Sequence, residues 1–335
     1  MNYSETLSRL VQDFFRKHLV GRRDVSPNTV SAYRDTMRIL LSFAGSHLSH
    51  NKGAMRLDDL NRETVLAFLD HLQDKRGNSA STRNARLAAV HSFFQFVAQE
   101  DPTSINLCQR VLSIPYKRTA ARAITCLDRQ EIEHVLGSID RRDPPGRRDA
   151  ALLQLLYNTG ARAQEVVDLR LPAVRLNTPA QVRILGKGRK ERLCPLWPET
   201  ASLLKDMLKD RSVDSHEDVP LFVSAVGQPL SRFGLRHIVK SRVALAIQSM
   251  PSLAAKKITP HTFRHSTAMH LIQSGVEINV VRSWLGHASI ETTHAYIEID
   301  MQMKAAALEA CGATKAGKGH PRWPRPNLLA WLESL

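Results

Sequence analysis

From Leu7 to about Ile114 the apolar residues recur at three- and four-residue steps, as in Leu7, Leu10, Val11, Phe14 and Phe15, which is the spacing of a helix face turned to a core. No alternating stretch competes there, so the segment predicts a compact bundle of four or five helices. Ser26-Pro27-Asn28 reads as the cap and first turn of a helix running through Tyr33, Met37 and Leu41 towards Gly45. A further helix is predicted over Arg62 to Asp74, and Gly77-Asn78 breaks the chain before another through Thr82, Leu87, Val90, Phe93 and Phe96. Pro115 to Arg122 is basic and lacks apolar periodicity, the pattern of an exposed connection lying against phosphates. Helices dominate again beyond it, except that Gln181–Leu185 and Arg192–Leu196 flank the polar, glycine-containing Gly186–Glu191 and predict a β-hairpin.

The pattern divides the chain into a helical bundle over residues 1–114, a basic linker over 115–123, a second domain over 124–311 and a tail over 312–335. The expected fold class is mainly α, with the second domain a mixed α/β unit that is mostly helical with a small antiparallel sheet. The tail from Gly312 to Pro326 is rich in Gly, Pro, Lys and Arg and is expected to be flexible. Leu328, Leu329, Trp331, Leu332 and Leu335 follow as an apolar cluster that needs a docking surface, in its own domain or on a neighbour.

Charge narrows the class of partner. A formal net charge of +15 over 335 residues, with basic residues spread along the chain, favours a polyanion held along an extended surface. Cys108, Cys126, Cys194 and Cys311 lie far apart with no metal-ligand or disulfide spacing, which suits a reducing cytoplasm. The first residues lack a signal-peptide apolar core, and no uncharged apolar run approaches the roughly 18 residues of a membrane span. The expectation is a soluble protein without metal or other cofactor.

The candidate chemistry sits at element ends. Thr259 can cap a helix and Pro260 fits its first position, so His261, Arg264 and His265 fall at i, i+3 and i+4 on one face. A metalloprotease reading fails because Thr262 stands where that mechanism needs Glu. Gly160 ends the helix built on Leu152, Leu153, Leu155 and Leu156, so Arg162 opens the next with Glu165 one turn on. Lys187 sits at the tip of the predicted hairpin, in a loop that lacks the Walker spacing. His287 follows Gly286 at the stop of a helix bearing Val280, Val281, Trp284 and Leu285, and Tyr296 is placed on a further short helix. Each residue alone has an ordinary explanation as solvated charge, core histidine or core tyrosine. Together, two arginines, two histidines, a lysine and a tyrosine can break and rejoin a phosphodiester without a metal.

With these residues in place the chain resembles the tyrosine recombinases, or phage-integrase-type site-specific recombinases, from about Leu7 to Met303. The likeness is carried by Thr159-Gly160-Ala161-Arg162-Ala163-Gln164-Glu165, by Gly186 to Arg192, and by the run from His261 to Tyr296. Thr29, Tyr33, Arg34 and Ser81-Thr82-Arg83-Asn84 look like the family's SAM-like core-binding domain, and Phe263 stands where Leu is commoner. The resemblance implies that Tyr296 attacks the scissile phosphate to give a 3′-phosphotyrosyl bond, and that Lys187 protonates the leaving 5′-oxygen. It implies that Arg162, Arg264 and His287 bind the non-bridging oxygens and that His261 is the general acid/base, with Glu165 and His265 in support.

It further implies a metal- and ATP-independent enzyme, acting as a homo-tetramer on paired double-stranded DNA sites through a Holliday junction, with other recombinases as possible accessories. Thr29, Arg34, Arg83, Arg86, Lys190 and Arg282 are candidate DNA contacts. Little room precedes the bundle for an arm-type domain, which favours a mobile-element or Xer-like recombinase, and the strong basicity with the added tail after Gly312 makes a mobile-element recombinase in a prokaryotic cytoplasm, associated with the nucleoid, the leading expectation. The competing readings are an Xer-like dimer resolvase, a type IB topoisomerase relaxing DNA as a monomer, and an inactive DNA-binding regulator on the same scaffold.

Overall fold

The computed structural model describes residues 3–48, 55–119, 124–186, 188, 190–211 and 217–286. Two units separate between Arg122 and Ala123. Among the described residues no helix is long and apolar enough to cross a membrane.

The first unit carries α1 (Tyr3–Asp13), a π-helical segment Phe14–Arg22, α2 (Pro27–His47), α3 (Arg62–Asp74), α4 (Ala80–Glu100) and α5 (Ile105–Leu112). Its helix starts follow local chemistry. The Ser26 hydroxyl accepts from Thr29 N, Asn61 Oδ1 accepts from Thr64 N, and the Ser79 hydroxyl accepts from Thr82 N, each satisfying an orphan amide of a first turn. The core gathers Leu10, Phe14, Leu40, Phe68, Leu72, Phe93 and Val97, all buried. The π-helical segment departs from the expected continuous helix: Phe14 and Leu19, five residues apart, are both fully buried, a match that the wider i→i+5 turn permits.

The expected exposed linker is partly tied down. Lys117 N donates to Asn84 Oδ1 at 3.0 Å, Asn84 Nδ2 donates to Lys117 O at 2.7 Å, and the Tyr116 hydroxyl lies 3.3 Å from His91 Nδ1. Residues 116–117 therefore lie against the bundle.

The second unit contains α6 (Arg129–Gly137), α7 (Pro144–Thr159), α8 (Ala163–Val167), a three-stranded sheet, then α9 (Pro198–Lys209), α10 (Arg232–Ile247), α11 (Pro260–Gln273) and α12 (Ile278–Leu285). The sheet is antiparallel in the order β1 (Val174–Arg175), β2 (Gln181–Leu185), β3 (Glu191–Pro195). The predicted hairpin is β2 and β3, one residue earlier on its second arm, and β1 is an addition too short for periodicity to reveal. Val182 pairs with Cys194 and Ile184 with Arg192, so these four side chains share the inward face. A large core joins α7, the sheet and α10, and a smaller cluster of Ala268, Met269, Ile272, Val281 and Leu285 fastens α12 to α11.

Candidate active site

Two helix ends meet in the second unit. Gly160 closes α7 and Gly286 closes α12, both in the left-handed region with φ of 58° and 63° that glycine adopts without strain. A Cβ on Gly160 would lie 2.5 Å from Leu285 Cδ2, so the close approach of the two ends itself requires glycine.

Helix C-termini present carbonyls with no intrahelical partner. Three arginines answer them in order along α12. Arg192 Nε donates to Trp284 O at 2.9 Å, Arg264 Nη2 to Leu285 O at 2.8 Å, and Arg162 Nη2 to Gly286 O at 3.3 Å. Arg264 Nη1 also donates to Gly160 O at 2.7 Å, so one guanidinium bridges both helix ends.

Arg162 arrives where the sequence places it, immediately before α8. Its backbone N–H donates to Glu165 Oε2 at 2.9 Å and its Nη1 to Glu165 Oε1 at 2.7 Å. Glu165 is buried, which alone would raise its pKa. Hydrogen bonds from Arg192 and Arg162, with the charge of Arg192, overcome that and hold the carboxyl below its ordinary value. Glu165 is therefore a carboxylate wedged between two guanidinium groups, with Arg192 Nη2 at 2.6 Å from Oε2.

On α11, Thr259 N donates to the Thr262 hydroxyl at 3.0 Å and Pro260 takes the first turn, as the sequence suggests. His261 and His265 stack edge to face with ring centroids 4.2 Å apart. Burial, followed by the charges of Arg264 and Arg162, lowers the His261 pKa. Burial, His261 and Arg264 bring His265 down to about 4. Both imidazoles are thus neutral near pH 7 and able to accept a proton. Arg264, on the same helix, is only 1% accessible.

A cleft of about 600 Å³ opens beside Arg162 and His261, walled by Arg232, Phe233 and Arg236 from the first turns of α10. Phe233 is 79% exposed there, between two exposed arginines. These three residues and Arg192 escaped the sequence reading. Arg192 had a signal, since β-alternation puts it on the same face as buried Cys194; Phe233 had only its misfit as an exposed aromatic in an otherwise amphipathic helix.

The remaining candidates divide. Lys187, His287 and Tyr296, like the apolar cluster from Leu328 to Leu335, lie outside the described residues. Lys190 is exposed and Arg282 half-buried. In the first unit Thr29 stands at the start of α2 with its hydroxyl 2.9 Å from that of Ser26, and Arg34 is exposed. Arg83 is only 3% accessible and donates to Pro115 O at 3.2 Å, tying α4 to the end of the bundle. Arg86 is half-buried and joins α4 to α2 through Ala32 O and the Thr36 hydroxyl.

Comparison with known proteins places the chain in a family. Residues 125–303 match the phage integrase family, and residues 12–101 match the N-terminal SAM-like domain of phage integrases. The protein y4rC of Sinorhizobium fredii, named as an integrase/recombinase, is 39% identical over 335 residues, covering 100% of both chains. Tyrosine recombinase XerD of Halalkalibacterium halodurans is 32% identical over 305 residues, 88% of this chain and 94% of its own. The solved structure of the Tn1549 transposon integrase in complex with transposon right end DNA has a TM-score of 0.68 at 17% identity, over 94% of this chain and 100% of that one, which shows a shared fold.

Proposed function

Because the chain belongs to the phage integrase family, we propose that it is a site-specific DNA recombinase of the integrase or transposase type, which integrates or excises a mobile element through a 3′-phosphotyrosyl intermediate and a Holliday junction. The observation that carries the chemistry is the convergence of Arg162 and Arg264 on the meeting point of α7 and α12, with His261 lining the cleft beside Arg162 and the chain continuing directly from Gly286 into His287.

In this reading Tyr296 Oη attacks the scissile phosphorus and its proton passes to His261. The bond from phosphorus to the 5′-oxygen breaks, and Lys187 gives that oxygen a proton, leaving a 5′-hydroxyl. Arg162, Arg264 and His287 neutralise charge developing on the non-bridging oxygens, where one such donor is typically worth on the order of 10²–10³ in rate. The phosphotyrosyl bond conserves the energy of the broken phosphodiester, so rejoining needs no nucleotide. Glu165 orients Arg162, and His265 supports His261.

Arg232, Phe233 and Arg236 at the cleft suit double-stranded DNA entering beside the phosphate, with Thr29, Arg34, Arg86, Lys190 and Arg282 as further contacts. The working unit is a homo-tetramer on two sites in the cytoplasm, the apolar cluster of the tail packing on an adjacent subunit. An Xer-like dimer resolvase is the second reading, favoured by the likeness to XerD. Loss of element excision in a deletion strain, with chromosome multimers unchanged, separates the two.

The test is covalent capture on nicked DNA from the ends of the gene's own element. Wild type is expected to give a denaturant-resistant adduct, and Tyr296→Phe to bind the same DNA without one. An adduct with Tyr296→Phe would overturn the assignment of the nucleophile.

A further inference from the structure

Of the three arginines on the end of α12, two have a proposed role at the phosphate and the third has none. The side chain of Arg192 is only 9% accessible and its guanidinium is turned inward to Glu165 and Trp284 O. It nevertheless joins two parts of the site, Glu165 and the end of α12. One face of the fork grips Glu165 Oε2 at 2.6 Å, and Glu165 Oε1 in turn holds Arg162 Nη1 at 2.7 Å. The other donor, Nε, holds Trp284 O at 2.9 Å, two residues before Gly286.

Gly286 belongs to the same device. A Cβ at that position would sit 3.0 Å from Arg192 Nη1 and 3.4 Å from Cδ, so the absent side chain leaves room for the guanidinium. Arg192 also stands in β3, five residues after Lys187 in the sequence. A lysine in its place is a point donor without the planar fork, and cannot hold a carboxylate and a carbonyl in fixed relative geometry.

Resting on the catalytic roles proposed above, we propose that Arg192 is a positioning residue for strand cleavage. Its guanidinium locks the Glu165–Arg162 pair to the carbonyl end of α12, and so sets the distance between the phosphate-binding Arg162 and that helix end. Arg192 touches neither DNA nor the reacting atoms. It acts through Glu165 on one side and through the α12 backbone on the other.

The experiment compares Arg192→Met, Arg192→Lys, Glu165→Gln and the Arg192→Met/Glu165→Gln double variant, in full-length protein. Single-turnover adduct formation on the nicked site is followed against DNA concentration, and amide exchange is measured on free protein. Arg192→Met is expected to leave the half-saturating DNA concentration unchanged and to lower the maximal rate about 10²-fold, the cost of a misplacement near 1 Å. Arg192→Lys, which keeps the charge and guards against loss of folding, is expected to rescue little of that rate. The double variant is expected to lose no more than the worse single one, because both act through one contact.

Amides of residues 162–166 and 282–286 are expected to exchange faster in Arg192→Met. A wild-type maximal rate, a loss explained by weaker DNA binding, multiplicative losses in the double variant, or unchanged exchange in both segments would each overturn the inference. If wild type itself forms no adduct the proposed function fails, while the exchange measurement still decides whether Arg192 holds the two segments together.

Discussion

His261 and His265 occupy adjacent turns of one helix, and their surroundings make both weaker bases that stay neutral further into acid. Burial comes first in each case, with guanidinium charge added for His261 from Arg264 and Arg162. A base with a lowered pKa stays neutral further into acid, so the acid limb of single-turnover adduct formation is expected below the ordinary histidine value of 6.5. His261→Gln is expected to lower the plateau and abolish that limb; a limb at or above 6.5 in wild type would contradict the role.

Stability follows the same sign. The folded state holds His265 at about 4 while the unfolded chain titrates near 6.5, so the unfolded state binds more protons between those values. The contribution is intact above about 6.5 and is lost as pH falls towards 4. Melting followed by circular dichroism over that range separates the loss of fold from the loss of rate. At this scale the sequence showed residue types well and their surroundings poorly. Arg83, Arg192 and Arg264 look alike in a string of letters, yet each is buried by elements distant in sequence and held by backbone carbonyls that only the fold brings near.

Helix ends were the most legible elements because capping is local. Ser26, Thr259-Pro260, Gly160 and Gly286 each do what their immediate neighbours dictate. The π-helical turn and the two-residue β1 were not legible, since one depends on burying both Phe14 and Leu19 in the core and the other on pairing across the sheet. Also invisible was that Gly160 and Gly286 close helices that abut. Gly160→Ala must bear both a positive φ and a collision with Leu285, whereas Gly77 has a φ of 62° with nothing within 4 Å of a new Cβ. Gly77→Ala is expected to cost about 1–2 kcal/mol, and Gly160→Ala about 2–4 kcal/mol once overpacking is added. Equal shifts of the urea midpoint for the two variants would show that the two helix ends do not constrain each other.

At the scale of the molecule, the two units have separate hydrophobic clusters, and basic residues run through both. A unit of 122 residues with its own buried phenylalanines is large enough to fold alone. If each unit lays a basic surface on the duplex, phosphate neutralisation is shared, and the salt dependence of binding counts the charges each one contributes. A chain that neutralises six to ten phosphates loses about 10³–10⁵ in affinity between 50 and 200 mM salt. The full chain, with its net charge of +15, is expected in that range on its own site. Residues 1–122 alone are expected to unfold in one cooperative transition and to bind DNA with a shallower slope of log affinity against log salt. The difference between the slopes reports the phosphates held by the second unit. A fragment slope equal to that of the full chain would mean that the second unit adds no phosphate contact, and that Arg162 and Arg264 engage DNA only at the moment of cleavage.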